Sequence, residues 1–171
     1  MLVLPLEGHR QHIPDQFKDT APVRSHIPGP SPLQVSSSPE PRRIRVLMVD
    51  DHTLLRQGLR TIITGYDHLE VVGEAANGLE AIQMANRLQP DVIVMDINMP
   101  KLDGIEATRF IKASHQKIAI VALSVHESAD MMQRINEAGA VDYLTKETAS
   151  NDLCKAIEAA AGSTTQTERG M

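Results

Sequence analysis

From Ile44 onward, short apolar runs alternate with stretches whose apolar residues recur every three to four positions. Runs such as Val46-Leu47-Met48-Val49 and Val92-Ile93-Val94-Met95 are too short for helices and too continuously apolar for half-exposed strands. That pattern belongs to strands buried on both faces of a parallel sheet. It predicts strands over Ile44–Val49, Glu70–Glu74, Asp91–Met95, Ile118–Leu123 and Val141–Leu144. Helices are predicted over Thr53–Ile63, Gly78–Leu88, Ile105–Ala113, Ala129–Ala138 and Ser150–Ala160. In the first helix Leu54, Leu55, Leu59, Ile62 and Ile63 fall on one side. Gly139 suits a left-handed cap after the fourth helix, and Ser150 and Asn151 are competent N-caps for the last. Five strand–helix pairs in this order imply an α/β fold with right-handed crossovers and helices on both faces.

The flanks differ. The first 43 residues hold eight of the ten prolines and end in Ser36-Ser37-Ser38-Pro39-Glu40-Pro41. Such composition buries too little apolar area to offset chain entropy, so residues 1–42 read as a disordered Pro/Ser-rich leader or linker. Leu2-Val3-Leu4-Pro5-Leu6 is the exception, a short strand candidate. The folded domain spans 43–161, and the polar residues 162–171 read as a frayed tail.

Composition narrows the function classes. Hydrophobic residues make up 42% and aromatics only 2%, so aliphatic side chains must fill the core. A net charge of −5 and the lack of a Lys/Arg run argue against direct nucleic-acid binding. One cysteine, Cys154, excludes an internal disulfide and reads as a small core hydrophobe. No apolar stretch approaches the roughly 20 residues needed to cross a bilayer, and no signal peptide is evident, so no membrane association and a cytoplasmic location are expected.

The chemistry lies where the strands stop. Asp50 and Asp51 follow the first strand, Asp96 the third, Ser124 the fourth and Lys146 the fifth. Ligands of such sheets bind beyond the carboxyl ends of the strands. Carboxylates gathered there repel one another and call for a cation. Hard oxygen ligands in an open crevice suit Mg²⁺, which keeps several waters and often shares a phosphate. Each residue alone has a plainer explanation: Asp50 and Asp51 as helix caps, Ser124 as a turn residue, Lys146 as a surface lysine. Their shared edge of the sheet favours an anion and metal site. The histidines show no metalloprotease spacing and read as surface residues, with His52 and His126 bordering the crevice. Neither GxGxxG nor GxxxxGK[ST] occurs, which weakens nucleotide binding.

The stretches Val46–His52, Asp91–Pro100, Val121–Ser124 and Gly139–Lys146 resemble the receiver (response regulatory) domain of two-component response regulators. The likeness covers about Arg43–Ala160. It implies a flavodoxin-like (βα)5 doubly wound parallel sheet in the order 2-1-3-4-5. It also implies a phosphoprotein that takes a phosphoryl group onto Asp96 from a sensor histidine kinase or histidine phosphotransfer protein. Carried over by position, Asp50, Asp51, Asp96 and the backbone carbonyl of Asn98 hold Mg²⁺. Lys146 pairs with phosphoryl oxygens, Ser124 donates to them, and Tyr143 is an aromatic switch that follows Ser124. A downstream protein target would meet the face of the fourth helix, fifth strand and fifth helix.

Glu147 stands where many receivers have proline, and in this the chain resembles the branch with helix-turn-helix outputs. Val125 stands where a smaller residue is common, which bears on rates. Too few residues follow the last helix for an output domain, so a chain without a DNA-binding domain is expected. Leu2–Leu6 resembles the last strand of a histidine-kinase ATPase domain. The chain therefore reads as a stand-alone receiver or as the C-terminal receiver of a hybrid histidine kinase. It is not expected to be a turnover enzyme. The competing readings are a small Mg²⁺-dependent phosphatase-like hydrolase and a non-phosphorylated interaction module. The first is disfavoured by Asn98, which stands where such enzymes usually place an acid.

Overall fold

The structure is a computed structural model and describes residues 42–126 and 128–166, the last three without side chains. The leader up to residue 41, with the Leu2–Leu6 strand candidate, and residues 167–171 lie outside the described residues.

Five strands form one sheet: β1 Ile44–Val49, β2 Leu69–Ala75, β3 Val92–Asp96, β4 Ala119–Ser124 and β5 Asp142–Thr145. Between and after them run α1 Thr53–Thr64, α2 Gly78–Leu88, α3 Gly104–Ser114, α4 Ala129–Ala138 and α5 Ala149–Gln166. All pairings are parallel, as the alternation predicts, and the order is β2-β1-β3-β4-β5, the flavodoxin-like arrangement that the family likeness implies.

The continuous apolar runs are explained by two-sided burial, and every residue of β3 and β4 is buried. Alternate strand residues serve opposite layers. Val46, Met48, Val94 and Val121 pack with Leu59 and Ile63 of α1 and Leu153 and Ile157 of α5. Leu47, Val49, Ile93 and Ile120 pack with Ala81 and Ala85 of α2 and Ala107 and Ile111 of α3. Ala122 meets Ile135 and Ala138 of α4. Each fully buried aliphatic side chain contributes about 1.5–3 kcal/mol. With so few aromatics, many such modest terms must add up.

One irregularity has structural consequences. Val46 pairs with Val71 but Leu47 pairs with Gly73, so Val72 is an extra residue in β2. Such a bulge changes which face the following side chains take. Gly73 then turns toward α2, where a Cβ would come within 2.6 Å of Leu88 Cδ1. Glu74 turns toward α1, where it meets Arg56.

Several expected details differ. Leu54 is 84% exposed rather than on the buried side of α1, because at about 100° per residue it lies across the helix from buried Ile63. The last helix begins at Ala149, ahead of Ser150 and Asn151, so neither is its cap; the Thr148 carbonyl already accepts from Asn151 N and Asp152 N. That helix continues to Gln166, past the expected end at Ala160, so Gly162–Gln166 are helical. Gly139 caps α4 with φ +104°, as expected. No helix among the described residues is long and apolar enough to cross a membrane.

Candidate functional site

Asp50 follows β1, which lies between β2 and β3. Its backbone N–H donates to the Ala75 carbonyl at 3.1 Å, which continues the β1–β2 ladder by one residue. Its Oδ1 accepts the His52 backbone N–H at 2.7 Å, which turns the chain toward α1. His52 is the N-cap of α1 and makes no side-chain cap bond. Neither aspartate is therefore spent as the cap of that helix. His52 Nδ1 lies 2.8 Å from Asp51 Oδ1 and 3.3 Å from Asp50 Oδ1.

Asp96 is the last residue of β3 and pairs with Leu123 of β4. It is fully buried. Asn98 N–H donates to its Oδ1 at 3.0 Å, and Lys146 Nζ donates to its Oδ2 at 2.7 Å. The loop beyond it folds back tightly. Gly104 N–H donates to the Ile97 carbonyl at 3.1 Å, and a Cβ on Gly104 would lie 2.1 Å from the Asp96 carbonyl oxygen. Only glycine permits this approach, so α3 starts directly against the strand that carries Asp96. Lys101 in the same loop has φ +69°, a left-handed conformation unusual for a side-chain-bearing residue.

Lys146 follows β5, and its backbone N–H donates to the Ser124 carbonyl at 2.7 Å. From there its ammonium reaches across two strand ends, to Asp96 and to Asp50 Oδ2 at 2.9 Å. The side chain is only 12% exposed. Burial pushes the Asp96 carboxyl above its ordinary value, against the Lys146 and Asn98 hydrogen bonds that favour its charge, and the nearby Asp50 charge pushes the same way as burial. Burial pulls Lys146 down, but the two carboxylates together outweigh it and hold the ammonium above its ordinary value.

Ser124 and Tyr143 stand apart from this cluster. The buried Ser124 hydroxyl donates to the His126 carbonyl at 3.0 Å, and the Tyr143 hydroxyl donates to that same carbonyl at 2.6 Å. His126 contributes its backbone, not its imidazole. The structure thus brings Asp50, Asp51, Asp96 and Lys146 together. It sets Asn98 beside them through its N–H, and ties Ser124 to Tyr143 through one shared acceptor.

The donor set fits a hard divalent cation. Asp50, Asp51, Asp96 and His52 each offer a ligand atom, all within 4.8 Å of one another. Asp50 Oδ2 and Asp51 Oδ1 are buried and accept no hydrogen bond of good geometry; the nearest basic atoms are Lys146 Nζ and His52 Nδ1 respectively. Unsatisfied carboxylate oxygens are costly, and carboxylates clustered with lone pairs free suit Mg²⁺. A cleft of about 460 Å³ opens beside them, lined by Asp51, Asn98, Pro100, Asp103, Met131 and Arg134 among others.

Two contributors escape a reading of the sequence. Gly104 is visible as a loop glycine, but its close approach to the Asp96 carbonyl is not. Arg56 lies in the middle of α1 and gives no signal, yet its guanidinium donates to the Asp50 carbonyl and to Glu74 of β2.

The model of the response regulator receiver domain matches residues 46–158. Response regulator GacA of Pseudomonas protegens is 44% identical over 114 residues, 67% of this chain and 54% of the relative. Transcriptional regulatory protein YdfI of Bacillus subtilis is 40% identical over 116 residues, 68% of this chain and 54% of the relative. The chain therefore spans about half the length of the curated relatives it matches. Among solved structures, the response regulator domain of Thermotoga maritima CheB superposes with a TM-score of 0.67 at 36% identity, over 71% of this chain and 98% of that one. A LuxR-family two-component response regulator from Aurantimonas sp. SI85-9A1 superposes with a TM-score of 0.68 at 36% identity, over 71% of this chain and 86% of that one.

Proposed function

The chain belongs to the response regulator receiver domain family, and we propose that it is the phosphoacceptor of a two-component phosphorelay, with Asp96 as the nucleophile. The receiver comprises residues 43–161. The observation that supports this most directly is the position of Lys146 Nζ, 2.7 Å from buried Asp96 and 2.9 Å from Asp50. A nucleophile, a fixed ammonium and a further acidic pair share one pocket.

An Asp96 carboxylate oxygen attacks the phosphorus of a phosphohistidine on a sensor histidine kinase or histidine phosphotransfer protein. A P–O bond forms as the P–N bond breaks, and the imidazole leaves to take up a proton. This leaves an acyl phosphate on the protein. The protein's work is chiefly positioning and charge neutralisation. Asn98 N–H holds one carboxylate oxygen, and Lys146 offsets the charge brought in by the phosphoryl group. Asp50, Asp51, Asp96 and the Asn98 carbonyl would hold Mg²⁺, which supplies further neutralisation of phosphoryl oxygens.

The Ser124 hydroxyl leaves the His126 carbonyl to donate to the phosphoryl group, and the loop shifts with it, carrying the carbonyl on which the Tyr143 hydroxyl rests. The resulting population shift alters the face of α4, β5 and α5 toward a downstream protein target. The domain acts as a stoichiometric acceptor in the cytoplasm, not as a turnover enzyme.

Incubation with Mg²⁺ and acetyl phosphate followed by intact-mass measurement tests the reading. One phosphoryl unit per chain, stable to acid, labile to base and absent from Asp96→Asn, is expected. Multiple turnover of a phosphomonoester would instead indicate a hydrolase, and no uptake an interaction module.

A further inference from the structure

We propose that Arg56 is a positioning residue for the acidic pair at the end of β1, braced from β2 by Glu74. The inference rests on the phosphoacceptor reading, in which Asp50 and Asp51 hold the divalent cation. Asp50 and Asp51 sit on the first two residues after β1, where the ladder ends, so their peptide groups need another anchor. Asp50 is held on its N–H side by Ala75 of β2. On its carbonyl side the anchor is a side chain: the Arg56 guanidinium donates from Nη1 to the Asp50 carbonyl. That carbonyl belongs to the peptide linking Asp50 to Asp51, so its orientation sets how both carboxylates enter the pocket.

The guanidinium is held from behind. Arg56 Nε donates to Glu74 Oε2 at 2.8 Å, and the Arg56 side chain is only 14% exposed. Arg60 pairs with the other Glu74 oxygen but is half-exposed. The hydrogen bond from Arg56, then that from Arg60, holds the Glu74 carboxyl below its ordinary value, so Glu74 stays charged at neutral pH. Glu74 thereby does two things. It fixes the Arg56 fork, and it offsets a cation that would otherwise oppose a metal ion in the adjoining pocket. A planar guanidinium satisfies two acceptors at fixed angles, which an ammonium does not. The arrangement therefore demands arginine and not just positive charge.

Mn²⁺ serves as the probe, with free ion measured by electron paramagnetic resonance on the whole chain without any phosphodonor. Arg56→Lys keeps charge and stem but loses the fork, and is expected to weaken Mn²⁺ binding about 10- to 100-fold, on the scale of lost outer partners at metal sites. Glu74→Gln is expected to weaken it similarly, and the double variant by less than the product of the two, since both disrupt one brace. Arg60→Gln, which leaves the Arg56 contact to Asp50 in place, is expected to stay within about twofold of the wild type. The melting temperature of each variant is taken alongside. Arg56→Lys and Glu74→Gln that melt lower yet bind Mn²⁺ like the wild type overturn the inference, as does an Arg60→Gln effect equal to that of Arg56→Lys. If one of the two brace variants does not fold, the other decides. A wild-type chain that binds no Mn²⁺ overturns the phosphoacceptor reading as well.

Discussion

Lys146 and Asp96 are fifty positions apart in sequence, yet their side chains meet at 2.7 Å in a pocket that leaves Asp96 with no exposed surface. The same ammonium lies 2.9 Å from Asp50, so one cation serves two buried carboxylates. Removing one partner of a buried ion pair costs about 3–5 kcal/mol, because the remaining charge stays desolvated. Lys146→Ala is expected to lose stability of that order at neutral pH in EDTA, measured by urea denaturation. Part of the loss returns on acidification, as the stranded Asp96 carboxyl, already raised by burial, takes up a proton. An unchanged midpoint would show that the ammonium is not needed there.

Asp96 gives a pH dependence of definite sign. Its folded-state carboxyl is raised above the ordinary 3.8, chiefly by burial, so the folded protein keeps this proton to higher pH than the unfolded chain does. The associated stability is present below the ordinary value and lost as pH rises through the raised one. In EDTA at neutral pH, Asp96→Asn should melt above the wild type, and the two curves should converge in acid. A variant that melts lower than wild type across the whole range contradicts this.

Glu74 titrates in the opposite sense. Its carboxyl is lowered by Arg56 and Arg60, so its stability contribution is present above the ordinary 4.5 and lost as pH falls through the lowered value. Glu74→Gln should therefore be destabilised at neutral pH and differ little from the wild type in strong acid. Thermal melts across pH read this directly.

Gly104→Ala places a Cβ 2.1 Å from the Asp96 carbonyl oxygen and 2.8 Å from Ile97 Cα, both backbone atoms that cannot rotate away. Overpacking usually costs about 1–3 kcal/mol, and a backbone clash of this kind belongs at or above the upper end. The expected readout is a lowered denaturation midpoint together with slower phosphoryl uptake, since the displaced backbone carries the nucleophile. Normal uptake in a destabilised variant would separate the two effects.

Mg²⁺ should stabilise the folded chain by mass action, by about 2.7 kcal/mol at a hundred times its dissociation constant. The gain should vanish in Asp51→Asn. Differential scanning calorimetry at increasing Mg²⁺ checks both, and an equal gain in the variant would remove Asp51 from the ligand set.

The sequence reveals those parts of this molecule that depend on local chemistry. Val46–Val49 and Val92–Met95 announce buried strands because two-sided burial excludes polar residues, and the first strand matches to the residue. Asp50, Asp51, Asp96 and Lys146 are readable because they interrupt those runs at equivalent ends. Boundaries slip where a polar residue continues the ladder: Asp96 belongs to β3 and Thr145 to β5. Leu54 misleads because an apolar side chain invites a place on the buried stripe, while at about 100° per residue it stands opposite Ile63. Arg56, Glu74 and Gly104 are hidden for a further reason. Their importance lies in contacts with main-chain oxygens or with distant side chains, and those leave no spacing to recognise.

The unpaired Val72 in β2 decides more than a local kink. Up to Val71 the odd-numbered side chains of that strand look toward α1 and α5; after the bulge Glu74 does so instead, while Gly73 and Ala75 face α2. Parity, not length, thus governs which neighbour the Glu74 carboxylate can reach. Drawing Val72 into regular alternation would leave the composition of the strand unchanged and yet send this acid to the wrong side of the molecule, whereas deleting Val72 would close the ladder and keep Glu74 facing α1. Homologous chains that keep the arginine–glutamate couple should therefore either keep this extra residue as a bulge or lack it altogether, and none should hold it in the ladder.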